Sequence, residues 1–100
     1  MKDKSFEGIM IPIDSVSHEF LKIICLVADR EYDEALQMVD EYISQVEDDE
    51  QKNIAIMISL QILALAGYKD IASVLLEALL KNFKAHSKAR SLCQRTINNL

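Results

Sequence analysis

The chain has 100 residues, a net charge of −5, and a composition that is half hydrophobic with two glycines and one proline. That length suggests one domain, and the scarcity of turn-forming residues argues against a loop-rich or all-β fold. A chain this short buries only about 60–68% of the surface its unfolded form exposes, so so apolar a sequence is expected to leave hydrophobic surface for another chain.

Residues 1–13 read as an irregular N-terminal arm, and residues 14–100 as a single helical domain. The arm is polar over Lys2–Glu7 and apolar over Ile9-Met10-Ile11-Pro12-Ile13. Pro12 pushes Ile11 towards an extended conformation and stops a helix from running through. The segment is expected to pack across the core, with docking on another subunit as the alternative. Its acids Asp3, Glu7 and Asp14 and its short apolar patch do not make a secretory signal.

The first helix is expected after Asp14 or Ser15, both good N-caps, with Phe20, Ile23, Ile24 and Val27 on one face. After a turn at Asp29–Glu31 comes the clearest amphipathic pattern in the chain. Tyr32, Ala35, Leu36, Val39, Tyr42, Ile43 and Val46 form one stripe, with Asp33, Glu34, Gln37, Asp40, Glu41, Ser44 and Gln45 opposite. The acids at its start suit the positive end of the helix dipole. Glu47-Asp48-Asp49-Glu50 reads as a connector or as the first turn of the next helix. It lacks the alternating acids and the glycine of a calcium loop.

The third helix, about residues 51–66, is apolar nearly all round and is expected at the centre of the domain. Its apolar run Ile54–Ala66, interrupted by Ser59 and Gln61, is too short for a membrane span. Gly67 is placed to cap it and turn the chain into a fourth helix, about Tyr68 to Phe83. A fifth, about Ala85 to Asn98, carries Ala89, Leu92, Cys93 and Ile97 on one side and basic residues on the other. The expected fold class is all-α: an antiparallel array of about five short helices.

No catalytic, cofactor-binding or metal-binding residues are assigned. His18 and His86 have no ligand at metal-site spacing. Cys25 and Cys93 are expected to be buried, reduced thiols, as in a cytoplasmic protein. Gly8 and Gly67 are the only glycines and make no phosphate-cradling loop. Residues 29–50 hold ten acids and one base, whereas residues 81–100 hold Lys81, Lys84, Lys88, Arg90 and Arg95 and no acid. That basic end allows contact with nucleic acid, but without interleaved aromatics or a binding motif this is the weakest of the readings.

Two segments match each other. Tyr32 with Ala35, and Gly67 with Ala72, each start a helix that then carries large apolar residues: Met38, Val39, Tyr42 and Ile43 in one, Leu75, Leu76, Leu79 and Leu80 in the other. The alanines are 37 positions apart, within the range of helical-repeat periods. The stretch from about Phe20 to Phe83 therefore resembles two degenerate tetratricopeptide-type hairpins. The run from Leu60 through Gly67-Tyr68 to Leu80 is also similar to small needle-type chaperones of bacterial type III secretion. That resemblance implies a cytoplasmic, non-catalytic chaperone or co-chaperone with an amphipathic partner helix lying in a concave groove. The groove residues it implies are Ile23, Val27, Tyr42, Ile58, Ile62 and Leu65. The alternative use of the same apolar surplus is self-association as a homodimer.

Overall fold

The computed structural model describes residues 3–15 and 17–100. It is mostly helical, with a small two-stranded sheet. Strands β1 (Asp3–Phe6) and β2 (Ile9–Pro12) pair antiparallel, with Ser5 opposite Met10 and Phe6 opposite Ile9. Four helical segments follow: α1 (His18–Ala28), α2 (Tyr32–Gln45), a long one over Asp49–Asn82, and α5 (Lys88–Asn99). The long segment bends at Gly67 into two arms, α3 (Asp49–Leu63) and α4 (Lys69–Asn82), joined by a wide turn over Ala64–Tyr68. The unbroken helices thus number four rather than about five, because Gly67 bends this segment without ending it.

The irregular arm expected over residues 1–13 is instead a hairpin, with Met1 and Lys2 outside the described residues. Its two-residue loop is Glu7-Gly8, with φ of 53° and 89°. Two consecutive positive φ values are what a type I′ hairpin turn requires, and the twist of that turn matches the strands it joins. Gly8 is needed for a second reason. A Cβ there would stand 3.3 Å from the Leu65 side chain, over which the turn passes. Ile9 and Ile11 point inward and are fully buried, and β2 packs on α3 and α5.

One buried polar side chain fixes the hairpin to the helices. Gln61, in the middle of α3, is 1% exposed. Its Oε1 accepts from the Met10 backbone N–H at 2.7 Å, and its Nε2 donates to the Met10 carbonyl at 3.1 Å. The side-chain amide thus pairs with β2 as a neighbouring strand would.

The helix ends follow local chemistry. α1 starts later than expected, capped by Ser17, whose hydroxyl accepts from Phe20 N–H; Ile13–Ser15 form a short 3-10 turn. Asp48 caps α3 in the same way, which makes Asp49 and Glu50 its first turn, and Ser87 caps α5. α1 ends with Glu31 N–H bonded to Leu26 O and Arg30 N–H to Val27 O, a Schellman closure with Arg30 at φ 61° where glycine is usual.

α3 is the hub, touched by α2, α4, α5 and β2. The core joins Phe20, Ile23, Val27, Ala35, Val39, Ile54, Ile58, Ile62, Leu76 and Cys93 with Ile9 and Ile11 of the hairpin. By length and composition alone, Asp49–Asn82 would suffice to cross a bilayer. In this fold α3 buries Ile54, Ala55, Met57, Ile58, Leu60, Gln61 and Ile62 against the rest of the chain, which accounts for its hydrophobicity without a membrane.

Candidate protein-docking surface

The six groove residues divide between core and surface. Ile23 and Val27 on α1, and Ile58 and Ile62 on α3, all lie in the central cluster and are at most 4% exposed. They do come together, but the other helices of this same chain fill the space between them. In this conformation they offer a partner no surface. Tyr42 is half-buried at the edge of the cluster, its ring 5.0 Å from that of Phe20. Burial, and then the charges of Glu19 and Asp48, push its phenol pKa up, so the hydroxyl stays protonated. Leu65 alone remains substantially open, at 40%.

The exposed apolar surface lies elsewhere, on α4. This helix carries two stripes. Ala72 and Leu76 are buried, with Leu79 and Leu80 half-buried, and they hold α4 to the domain. On the outward side Ile71 is 52% exposed, Val74 65% and Leu75 43%, and Ala78 is also exposed. Positions 71, 74, 75 and 78 follow the i, i+3, i+4, i+7 spacing of one helix face. Asp70, Ile71, Val74 and Leu75 line a shallow depression in it. At the bend, Tyr68 is 55% exposed, against its expected place in the core. Asp70, Glu77 and Lys81 border the stripe in solvent. A four-residue apolar stripe on one exposed helix has no role in holding this chain together, and large exposed apolar side chains in contiguous patches mark interaction sites.

Compared with known proteins, the chain matches no family model, no curated protein and no solved structure. The functional reading therefore rests on the chain's own surfaces.

The basic face of α5 is partly committed within the fold. His86, Ser87, Arg90, Ser91, Gln94 and Arg95 line an open recess. Arg90 donates to the Leu80 carbonyl at 2.9 Å, and Arg95 to the Ser91 hydroxyl at 2.6 Å. Arg90 thereby satisfies an end carbonyl of α4, a structural use of the charge. Among the described residues, no three His, Cys, Asp or Glu side chains gather as metal ligands.

The two thiols differ, where both were expected to be buried. Cys25 is exposed on α1, because the buried stripe of that helix passes through Ile23, Ile24 and Val27 and leaves position 25 outside. Cys93 is fully buried, and its Sγ donates to the Leu76 carbonyl at 3.2 Å. Burial pushes the Cys93 pKa up, and the nearby Arg90 charge only partly opposes this. Thiolate is the reactive form, so the two should separate cleanly. Titration of the native protein with a chromogenic disulfide is expected to label Cys25 at once and Cys93 only on unfolding. Rapid labelling of both would mean that the α4–α5 packing opens readily.

Periodicity could have found the outward stripe. Leu75 and Leu76 count together in the matched repeat, yet neighbouring positions on a helix point about 100° apart and cannot both face the core.

Proposed function

We propose that this chain is a non-catalytic protein–protein interaction module that binds an amphipathic helix on the outward face of α4. The observation that carries the proposal is the exposed stripe Ile71, Val74, Leu75 and Ala78, which is separate from the buried stripe that attaches α4 to its own domain. Helix recognition by i, i+3, i+4, i+7 anchors is a recurring mode, and a flat apolar helix face suits it better than it suits an extended peptide. The helix array is read as degenerate tetratricopeptide-type hairpins. Full burial of Ala35 and Ala72, the small residues at matching places in the two units, supports this. A small cytoplasmic chaperone is the form of this module that the resemblance implies. Its cargo helix would then lie on α4, because the inner residues are already packed.

Val74→Glu is the direct test. The side chain is two-thirds exposed, so the fold should tolerate the change within about 0.5 kcal/mol. Association is expected to fall sharply, because a carboxylate at the centre of an apolar contact must be desolvated without a partner. The readouts are the thermal midpoint, the molar mass by light scattering, and the set of proteins that co-purify from the native host. A variant with unchanged stability, mass and co-purifying proteins would remove α4 as the docking surface.

A further inference from the structure

The inference that follows rests on α4 being a docking surface and concerns what occupies it. We infer that the occupant is α4 of a second copy of this chain, packed antiparallel about a two-fold axis that passes between Val74 and Leu75. Two observations support this partner over an unrelated helix.

The stripe is self-complementary under reversal. Its positions 71, 74, 75 and 78 are symmetric about their midpoint, so an antiparallel copy places Val74 against Leu75 of the other chain. Ile71 then falls against Ala78, a large residue against a small one at both ends. An isologous contact requires this kind of reciprocity, in which residue i meets j and j meets i. The depression between Ile71, Val74 and Leu75 gives the copy's side chains somewhere to seat, in the manner of packed helices.

The bordering charges have the same symmetry. By helical spacing Asp70 and Lys81 lie on one flank of the stripe, near its two ends, and both are exposed. Antiparallel pairing brings each Asp70 beside Lys81 of the other copy, giving two equivalent ion pairs. Parallel pairing would set Asp70 against Asp70 and Lys81 against Lys81. The charges thus select one orientation. The stripe is short and covers much less than the roughly 800 Å² per partner of a standard stable interface, so the dimer should be weak and dependent on concentration.

Charge reversal on the full-length protein provides the test, read by sedimentation velocity across a range of concentrations. Wild type is expected to shift from monomer to dimer as concentration rises. Asp70→Lys alone, or Lys81→Asp alone, sets like charges together twice per dimer and should weaken association by roughly tenfold. The double variant D70K/K81D should recover it. Mixing the two single variants should also recover it, because every Lys–Lys and Asp–Asp contact becomes Lys–Asp in the heterodimer. Thermal melts serve as the control, since both positions are exposed and the fold should not change.

Loss in the single variants with recovery in the double and in the mixture supports the inference. Equal association of all four proteins overturns the antiparallel arrangement. A wild type that stays monomeric throughout overturns self-docking. If Val74→Glu then still strips a co-purifying protein from wild type, α4 remains a docking surface for another partner. A dimer that neither Val74→Glu nor the charge reversals affect overturns both this inference and the docking role of α4.

Discussion

Replacing Gln61 with leucine is expected to destabilise the protein by about 2–4 kcal/mol, although leucine is more hydrophobic and the position is buried. The side chain holds both the N–H and the carbonyl of Met10. Leucine would leave both backbone groups without partners, and each such loss costs about 1–3 kcal/mol when water cannot reach it. Met10 is half-buried, so partial rehydration keeps the sum below the maximum. Urea unfolding should show the loss. Amide exchange should place it first at β1 and β2, which have no other polar tie to α3 among the described side chains.

Glutamate at position 61 separates the two bonds. Its carboxylate can accept from Met10 N–H but opposes the Met10 carbonyl, whereas its protonated form can donate as Gln61 does. Burial and that carbonyl both favour the neutral form, so the folded-state pKa should lie above the unfolded value of about 4.3. The Gln61→Glu variant should therefore approach wild-type stability below that unfolded value. It should lose stability as pH rises from there through the folded-state pKa. A Gln61→Leu protein as stable as wild type at neutral pH would show that the amide pairing contributes nothing.

Phe20→Ala should have the largest effect of any single substitution considered. Phe20 is 1% exposed and packs against the Tyr42 ring at 5.0 Å, tying α1 to α2. Removing a buried phenylalanine costs about 3–5 kcal/mol in lost transfer energy and residual cavity. A domain of this size has about 5–15 kcal/mol in total, so much of its margin would go. The thermal midpoint should fall by more than about 12 °C. Leu21→Ala, one residue along and exposed, should change it little, within about 1 kcal/mol. Similar shifts for the two variants would mean that α1 is not docked as described.

The sequence made α2 legible because its two faces are chemically distinct. Ala35 and Val39 are buried, and Asp33, Glu34, Asp40 and Glu41 lie in solvent. The hub role of α3 was readable from its all-round hydrophobicity. Gly67 was readable from its position between two apolar helices, and it does adopt φ of 109°. The hairpin was not recognised. Its strands are four residues each, too short for alternation to stand out, and its signal is the single dipeptide Glu7-Gly8. Gln61 looked like an interruption of an apolar run. Its partner is a backbone group far off in sequence, which no side-chain pattern records.

The groove residues failed for a different reason. Helical spacing shows which residues share a face, but not whether a neighbouring helix or a separate molecule covers it. On α1 and α3 the neighbours are internal. On α4 both faces are apolar, and only the packing shows that Leu76 points inward and Val74 outward.

The Gln61–Met10 pairing also sets an order of events during synthesis. The two residues are 51 positions apart, with the strand made first. At about 5–20 residues per second, the ribosome delivers the amide several seconds after the strand it secures. A two-stranded hairpin by itself is marginal in water. Through that interval the N-terminal segment has no lasting structure to adopt, and Ile9 and Ile11 are open to whatever the nascent chain meets. The first part of the protein to be made is therefore among the last to settle.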